Sequence, residues 1–359
     1  MDVILETPGT RIGKRKDLLK ISVPDQDYRE IPIREVESVI VGNGVQITTQ
    51  ALKALSSYAV NIVYTSLGQP YGIYTPFANV GTVNTRREQI LAYKDWRGLH
   101  IATQIIYATI ENKRRLLKYF AKNRKKSNPG KARLLQAAAK HLGKMIGILM
   151  QFSKTVKKGQ RIEQKRQELM GIEGRAAATY FQQYGNLFPR EFKMFNRTRR
   201  PPRDPVNSLL GLGYTILQGH ITTAIAAAGL ELYGGFLHSD RSGKPSLALD
   251  LLEEFRQPII DRLVARILIK GQLSPDDFEN SIHGYFLKKE KKSFFYKELR
   301  NEIMGGDQSE GLFEEQTSAY KGNDRVRLNF KREMVRQARK LANYLIGASS
   351  KYEPFIMNW

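Results

Sequence analysis

The sequence predicts an α+β protein in which a small β-rich domain, residues 1–90, is followed by a larger all-helical domain, residues 91–359. Short runs of β-branched residues separated by glycines occupy the first 90 residues. From about Arg86 onward, apolar residues recur at spacings of three and four, which is the period of an amphipathic helix. Hydrophobic residues make up 41% of the 359 residues, so both parts can bury a core.

The N-terminal domain is expected to be β-sandwich-like, with one short helix near residues 48–58. Two turn signals, Gly42-Asn43-Gly44 and Gly68-Gln69-Pro70, bracket that helix. Three runs rich in β-branched residues are predicted as strands, at residues 18–23, 36–41 and 60–65.

Two long helices are predicted over residues 99–121 and 133–152, separated by a break at residues 127–130. Further loops are predicted at residues 196–205 and 305–323. Residues 205–230 contain no charged side chain, although Gln218 and His220 are polar. We interpret that segment as a buried core helix rather than a membrane span, and no membrane partner is expected.

The composition excludes several classes of site. The chain has no cysteine, which rules out disulfides, thiolate zinc sites, iron–sulfur clusters and cysteine nucleophiles. The first ten residues lack the apolar stretch of a signal peptide, and a cytoplasmic location is expected. The 58 Lys and Arg residues against 35 Asp and Glu give a net charge of +23, which favours a polyanionic partner such as nucleic acid.

The positive charge is concentrated in residues 112–167, which contain 18 Lys and Arg residues and the single acid Glu163. Such a density is typical of a track that binds DNA phosphates without reading base sequence. For any one lysine, a solvated helix face is the simpler explanation. The predicted DNA contacts, including a second cluster near residue 200, are Lys113, Arg114, Arg115, Lys122, Arg124, Lys125, Lys126, Arg197, Arg199 and Arg200.

Two of the three candidate catalytic segments contain glycine. Glu173 lies between glycines in Gly171-Ile172-Glu173-Gly174, at the head of an Ala-rich helix as the sequence suggests. The alternative is an acid of the first turn that complements the helix dipole. His238 follows the pair Gly234-Gly235, and a single histidine is more often structural than a ligand.

The third segment carries two acids in an apolar stretch. Asp250 and Glu253 are three residues apart and therefore share a helix face. Acids in such surroundings are costly unless they meet a metal or a cation. Pairing with Arg256 or Arg262 is the alternative to a metal site.

Together these segments resemble the signature of the CRISPR-associated Cas1 integrases. The resemblance rests on Glu173 in GIEGRAAATYF, His238 in GGFLH, Asp250 and Glu253 in SLALDLLEEFRQP, and the segment RRPPRDPVNSLL from Arg199. It implies catalysis by Glu173, His238, Asp250 and Glu253. It also implies a Mg²⁺ or Mn²⁺ ion held by Glu173, His238 and Glu253, with Asp250 beside it and Glu254 as a local ambiguity.

The resemblance further implies an asymmetric homodimer that pairs through the N-terminal domain, with two such dimers bridged by the small Cas2 protein. The substrates would be double-stranded DNA, namely a short fragment and a repeat array. The 3′ hydroxyl of the fragment would attack a phosphodiester at the edge of a repeat, a metal-dependent transesterification. A metal-dependent nuclease that never joins DNA, and a non-enzymatic architectural DNA-binding protein, are the alternatives.

Overall fold

A computed structural model of the chain describes residues 2–5, 7–36, 38–66, 69–76, 81–156, 159–198, 201–282, 284–305 and 328–359. The chain divides into two compact units. The first comprises Met1–Leu91, Gln218–Gly234 and Met304–Lys351, and the second comprises Ala92–Leu217, Gly235–Ile303 and Tyr352–Trp359. The units thus group helical segments of the second half with the N-terminal residues, and the predicted division into residues 1–90 and 91–359 stays a prediction.

The N-terminal residues form two four-stranded sheets, as expected for a small β-rich part. One sheet has the order β1-β5-β7-β8, in which β5 is parallel to β1 and β7, and β8 is antiparallel to β7. The other has the order β4-β3-β2-β6, with only the β2–β6 pair parallel. The strands are β1 Asp2–Leu5, β2 Arg11–Arg15, β3 Leu18–Ser22, β4 Arg29–Pro32, β5 Ser38–Val41, β6 Gln46–Ile47, β7 Asn61–Ser66 and β8 Gln69–Tyr74.

Both sheets contribute side chains to one hydrophobic cluster. Ile12 and Ile21 from one sheet, and Val39 and Ile62 from the other, are at most 1% exposed. The helix α1, Thr49–Ser57, lies between β6 and β7 in the chain, and its first turn is capped by the side chain of Thr48. The short helix expected near residues 48–58 is therefore confirmed.

One strand that the sequence analysis missed, β2, consists mostly of polar residues. In β2 only Ile12 is buried, while Arg11, Lys14 and Arg15 are exposed. With one buried apolar residue in five positions, β2 does not produce a recognisable alternating pattern. The three predicted strands correspond to β3, β5 and β7.

Long helices dominate the remainder of the chain. Asp95 caps α3 through the N–H of Arg97, and Asn128 caps α4, whose first residue is Pro129. The break predicted at residues 127–130 is thus the cap of α4. The helices are α2 Gly81–Tyr93, α3 Trp96–Arg124, α4 Pro129–Thr155, α5 Ile162–Gly185, α6 Pro205–Ala227, α7 Ser246–Phe255, α8 Arg262–Ile269, α9 Lys289–Met304 and α10 Phe330–Leu345.

Helix α6 confirms the interpretation of the uncharged segment as a core helix, since Leu209, Leu210 and Leu217 are fully buried. Among the residues that the structure describes, no helix combines the length and apolar character needed to cross a bilayer.

The helical region is not entirely α-helical, contrary to the prediction. An antiparallel hairpin pairs β9, Phe278–Ser281, with β10, Gly284–Leu287. Strands of four residues are too short to be distinguished from loops by periodicity. A π-helical segment, Arg256–Asp261, joins α7 to α8. This wider turn immediately follows the acids of the candidate site.

Candidate active site

Asp250 anchors the loop that carries His238. Its carboxylate is fully buried on α7 and accepts hydrogen bonds from the backbone N–H groups of Phe236 (2.6 Å), Leu237 (2.9 Å) and His238 (2.9 Å). A carboxylate held by several N–H donors fixes the loop that supplies them. Asp250 therefore joins two of the segments that the sequence analysis singled out.

Gly235 allows this loop to approach the start of α7. Its N–H donates to Ser246 Oγ at 2.9 Å. A Cβ atom at position 235 would lie 2.6 Å from the backbone carbonyl carbon of Ser246, closer than real Cβ contacts come. Only glycine fits at this point, which accounts for the glycine that precedes the Phe-Leu-His sequence.

The imidazole of His238 is oriented by the same carboxylate. His238 Nδ1 lies 2.7 Å from Asp250 Oδ1, and the two side chains are 19% and 0% exposed. Because a carboxylate oxygen only accepts hydrogen bonds, Nδ1 carries the proton in this contact. The other ring nitrogen, Nε2, is then the atom that can coordinate a metal ion or meet a substrate.

Glu173 lies in the middle of its helix, not at its head. Helix α5 begins at Ile162, so both expectations that placed Glu173 in the first turn are wrong. The residues before Gly171 favour helix, so α5 begins on the N-terminal side of the two glycines and continues through them. Glu173 Oε1 contacts Lys113 Nζ at 2.8 Å. A Cβ placed on Gly174 would meet nothing within 4 Å, so the backbone beside Glu173 is open to an approaching molecule.

Glu253 forms an ion pair with Arg256, one of the two partners considered from the sequence. Arg262 pairs with Glu302 instead. The Arg256 guanidinium also lies 4.9 Å from the ring centroid of Tyr214. Burial lowers the pKa of Arg256, but the electrostatic interactions with Glu253, Tyr214, Asp261 and Glu173 outweigh burial and raise this pKa above its ordinary value. Arg256 thus lies within electrostatic reach of both candidate carboxylate ligands.

A buried carboxylate that the sequence analysis missed ends the π-helical segment. Asp261 accepts hydrogen bonds from the hydroxyls of Tyr214 (2.6 Å) and Tyr180 (2.7 Å). Burial raises the pKa of Asp261 to about 6, against the lowering effects of those hydroxyls and of the cations Lys113 and Arg256. The contacts span 47 and 81 residues of sequence, so no local pattern could have indicated them.

Glu254 is excluded from the site by its own contacts. It is fully buried and accepts hydrogen bonds from the hydroxyl of Tyr352 and from the N–H of Phe355, the latter at 2.6 Å. Asn112 completes this attachment by contacting the backbone of Phe355 and Met357. The C-terminal residues 352–357 therefore attach to the end of α7 through Glu254 and Asn112, and these contacts resolve the Glu254 ambiguity.

Glu173, His238 and Glu253 were expected to converge on one ion. The part of the chain that the structure describes holds no ready-made group of three or more His, Asp or Glu side chains suited to a metal. Two of the three residues, Glu173 and Glu253, both raise the pKa of Arg256, so both lie within electrostatic reach of the same guanidinium. Their convergence around a metal stays a prediction.

Lys113 departs from its predicted role in DNA binding. Its side chain is 2% exposed and is paired with Glu173, so it does not lie on a surface that a phosphate could reach. Arg114 and Arg115 are partly exposed and both pair with the buried Glu111. Arg115 also contacts the backbone of Met357.

The remaining predicted contacts differ in exposure. Lys122, Lys125 and Lys126 are exposed, and Arg124 is half-buried. Arg197 is partly buried, where it donates to Asn207 Oδ1 at 2.8 Å. Arg199 and Arg200 lie outside the described residues.

Comparisons with known proteins identify one family to which the chain is similar over most of its length. The family described as CRISPR associated protein Cas1 matches residues 3–301. A CRISPR-associated endonuclease Cas1 of Archaeoglobus fulgidus is 30% identical over 366 residues, covering 100% of both chains. Another, of Thermus thermophilus, is 32% identical over 332 residues, covering 90% of this chain and 87% of the relative.

Two solved structures share the fold over nearly the full length. A chain of a partial Cas6-RT-Cas1–Cas2 complex has a TM-score of 0.74 at 22% identity, with 99% of each chain covered. A casposase bound to its integration product has a TM-score of 0.72 at 20% identity, with 98% of this chain and 97% of that chain covered.

Proposed function

Because the chain belongs to the CRISPR-associated Cas1 family, we propose that it is a DNA endonuclease and integrase that inserts short DNA fragments into a CRISPR repeat array. The observation that carries this proposal is the Asp250 clamp. It fixes the His238 loop against the helix that also carries Glu253, and it leaves Nε2 of His238 available. A protein that only bound DNA would not need an imidazole oriented with Nε2 available.

A Mg²⁺ or Mn²⁺ ion is the proposed cofactor, with Glu173, His238 and Glu253 as its ligands. Carboxylate oxygens suit both ions, and a neutral imidazole is compatible with Mn²⁺. The His238–Asp250 contact is the kind of carboxylate support that metal-bound imidazoles receive. The donor chemistry therefore fits, while each of the two carboxylates has a cationic partner with which an ion must compete. Such an ion, when bound, neutralises charge that develops on an attacked phosphate.

The proposed reaction exchanges one phosphodiester for another. A bond forms between the fragment's 3′ oxygen and the phosphorus at the repeat edge, and the bond from that phosphorus to the 3′ oxygen of the repeat strand breaks. The attacking hydroxyl loses a proton and the departing oxygen gains one, so atoms and charge balance. Within this reaction Asp250 keeps the His238 ring in one orientation, and the open backbone at Gly174 gives a strand access beside Glu173.

A basic groove between α3 and α4 supports DNA binding near this site. The groove has a volume of about 520 Å³. Its polar lining consists of Arg114, Lys118, Lys122, Gln136 and Lys140. Side chains of this kind contact phosphates irrespective of base sequence. Lys118, Gln136 and Lys140 were not among the residues predicted from the sequence to contact DNA, although Lys118 and Lys140 belong to the same basic segment.

A homodimer and a bridging Cas2 partner complete the proposal. The similar chain described above belongs to a Cas6-RT-Cas1–Cas2 complex. Strand β8 is at the edge of its sheet, with Tyr71 67% and Ile73 53% exposed. An edge strand with exposed apolar side chains suits pairing with a second copy. Sedimentation velocity, with and without the partner, should show a dimer alone and a larger assembly with the partner; a monomer throughout would contradict this.

Integration is tested by following a labelled short duplex with a free 3′ hydroxyl. The duplex is incubated with a plasmid that bears a repeat, the Cas2 partner and Mn²⁺. The proposal predicts label joined covalently to the plasmid. Cutting without joining under all partner conditions would favour a nuclease, and binding with neither reaction would favour an architectural protein.

A further inference from the structure

We propose that Lys113 is a resident counter-cation of Glu173: its ammonium group neutralises this carboxylate in the metal-free protein and is released from it when a divalent cation binds. This inference rests on the metal role proposed above. It assigns to Lys113 a function in metal loading, distinct from the DNA contacts made by exposed lysines.

The burial of Lys113 shows that its ammonium group needs Glu173. The lysine side chain is 2% exposed, the glutamate side chain is 20% exposed, and Nζ lies 2.8 Å from Oε1. An unpaired ammonium in such surroundings is strongly disfavoured. Pairing with Glu173 therefore stabilises both charges when no metal is bound.

Both proposed carboxylate ligands are paired with cations in the described part of the chain. Each proposed carboxylate ligand already has one side-chain cation, Lys113 for Glu173 and Arg256 for Glu253. A metal ion that binds either carboxylate therefore has to displace its cation or share the carboxylate with it.

Lys113, rather than Arg256, is suited to give way. Arg256 is held both by Glu253 and by the ring of Tyr214, so its planar group has two partners that fix it. The ammonium of Lys113 is a point charge on a flexible stem. Asp261 offers it a second carboxylate within electrostatic reach, since Lys113 contributes to lowering the pKa of Asp261 against the larger effect of burial.

The test is calorimetric titration of Mn²⁺ into the full-length protein, with wild type compared to Lys113→Met. Met keeps the length of the side chain without its charge. We expect Lys113→Met to bind Mn²⁺ more tightly than the wild type, by about tenfold or more. The reason is that the ion no longer has to break the charged hydrogen bond between Lys113 and Glu173. Lys144→Met, at an exposed position of α4, is the matched control and should bind Mn²⁺ like the wild type. Glu173→Gln should bind it more weakly.

Thermal unfolding without metal gives the second readout. Lys113→Met should lower the melting temperature because Glu173 loses the ammonium group that neutralises it, and adding Glu173→Gln should restore part of the loss. Mn²⁺ should then raise the melting temperature of Lys113→Met more than that of the wild type. If Lys113→Met does not fold, Lys113→Gln, which can still donate a hydrogen bond to Glu173, replaces it in both measurements.

The outcomes separate this inference from the function on which it rests. Wild-type Mn²⁺ binding that is lost in Glu173→Gln but unchanged or weaker in the folded Lys113 variant overturns the inference alone. Wild-type protein that binds no Mn²⁺ overturns the proposed metal site, and the inference with it. Tighter binding in the Lys113 variant, with wild-type affinity in Lys144→Met, supports both.

Discussion

Helix α3 carries two lysines, Lys113 and Lys122, that differ in exposure: one is buried and the other faces solvent. Lys113, in the second half of the helix, is 2% exposed and pairs with Glu173. Lys122, in the last turn, is exposed and lines the basic groove. The high charge density of this segment indicates a polyanionic partner, but burial decides which cations face DNA and which neutralise acids of the site. We therefore expect substitutions at the buried charges to change stability, metal binding and catalysis, and those at the exposed charges to change DNA affinity.

The largest effect on stability is expected at the buried carboxylate Asp261. Its pKa of about 6, raised from 3.8 by burial, means that the folded protein binds this proton more tightly than the unfolded chain does. The resulting stability is fully present below pH 3.8 and is lost as pH rises through about 6. Asp261→Asn should remove a change of about 3 kcal/mol in the free energy of unfolding over that window.

Urea unfolding of the metal-free protein at several pH values measures this effect. Asp277→Asn serves as control, because burial is outweighed there by contacts with Ser274 and Lys291, which lower the pKa of Asp277. The Asp277 carboxylate contributes stability that is lost as pH falls, the opposite of Asp261. Asp277→Asn should therefore remove a pH dependence of the opposite sign. A wild-type and an Asp261→Asn protein with the same pH dependence would contradict the raised pKa.

Asp250→Asn should reduce strand joining by about 10- to 100-fold. The amide can still accept hydrogen bonds from the loop N–H groups through its oxygen, but it no longer provides two charged acceptors for the loop and for Nδ1 of His238. The assay is joining of the labelled duplex at saturating Mn²⁺. An Asp250→Asn protein as active as the wild type would show that the clamp has no role beyond folding.

These buried contacts mark the limit of what the sequence could predict. The motif residues, the helical region and the basic segment were predictable because each is a local pattern. The contact of Lys113 with Glu173 spans 60 residues, and Lys113 resembles its exposed neighbours in every local respect. Glu173 was misplaced within its helix because glycines normally suggest a helix end, whereas here α5 continues through them.

On the exposed side of the comparison, replacing Lys122, Lys125 and Lys126 with Ala should weaken binding to all duplexes alike. The slope of log affinity against log salt should flatten by about one unit for every phosphate that the variant no longer neutralises. Fluorescence anisotropy at several salt concentrations measures this slope. The control replaces Lys14, Lys53 and Lys289, which are exposed lysines elsewhere in the chain. Equal slopes for the two triple variants would show that this stretch is a solvated surface.

The smallest effect on stability is expected at Gly174. Here two glycines of helices are compared, Gly174 beside Glu173 and Gly147 of α4. Gly174→Ala and Gly147→Ala should each stabilise a helix by about 0.5–1 kcal/mol, since neither added methyl group meets an atom within 4 Å. Only Gly174→Ala should slow joining, because a strand is proposed to approach beside Glu173. Thermal unfolding and the joining assay measure the two effects. Normal joining by a stabilised Gly174→Ala would place the DNA elsewhere.

The central claim, that one site performs chemistry while other residues bind DNA, is tested most directly with His238→Ala. Joining and duplex affinity are measured in the same samples, with His141→Ala, an exposed histidine of α4, as control. Loss of a metal ligand should remove several kcal/mol of stabilisation from the attacked phosphate. We predict that His238→Ala loses joining, keeps wild-type affinity for duplex DNA and differs in joining from His141→Ala. Joining by His238→Ala at the wild-type rate would contradict the account.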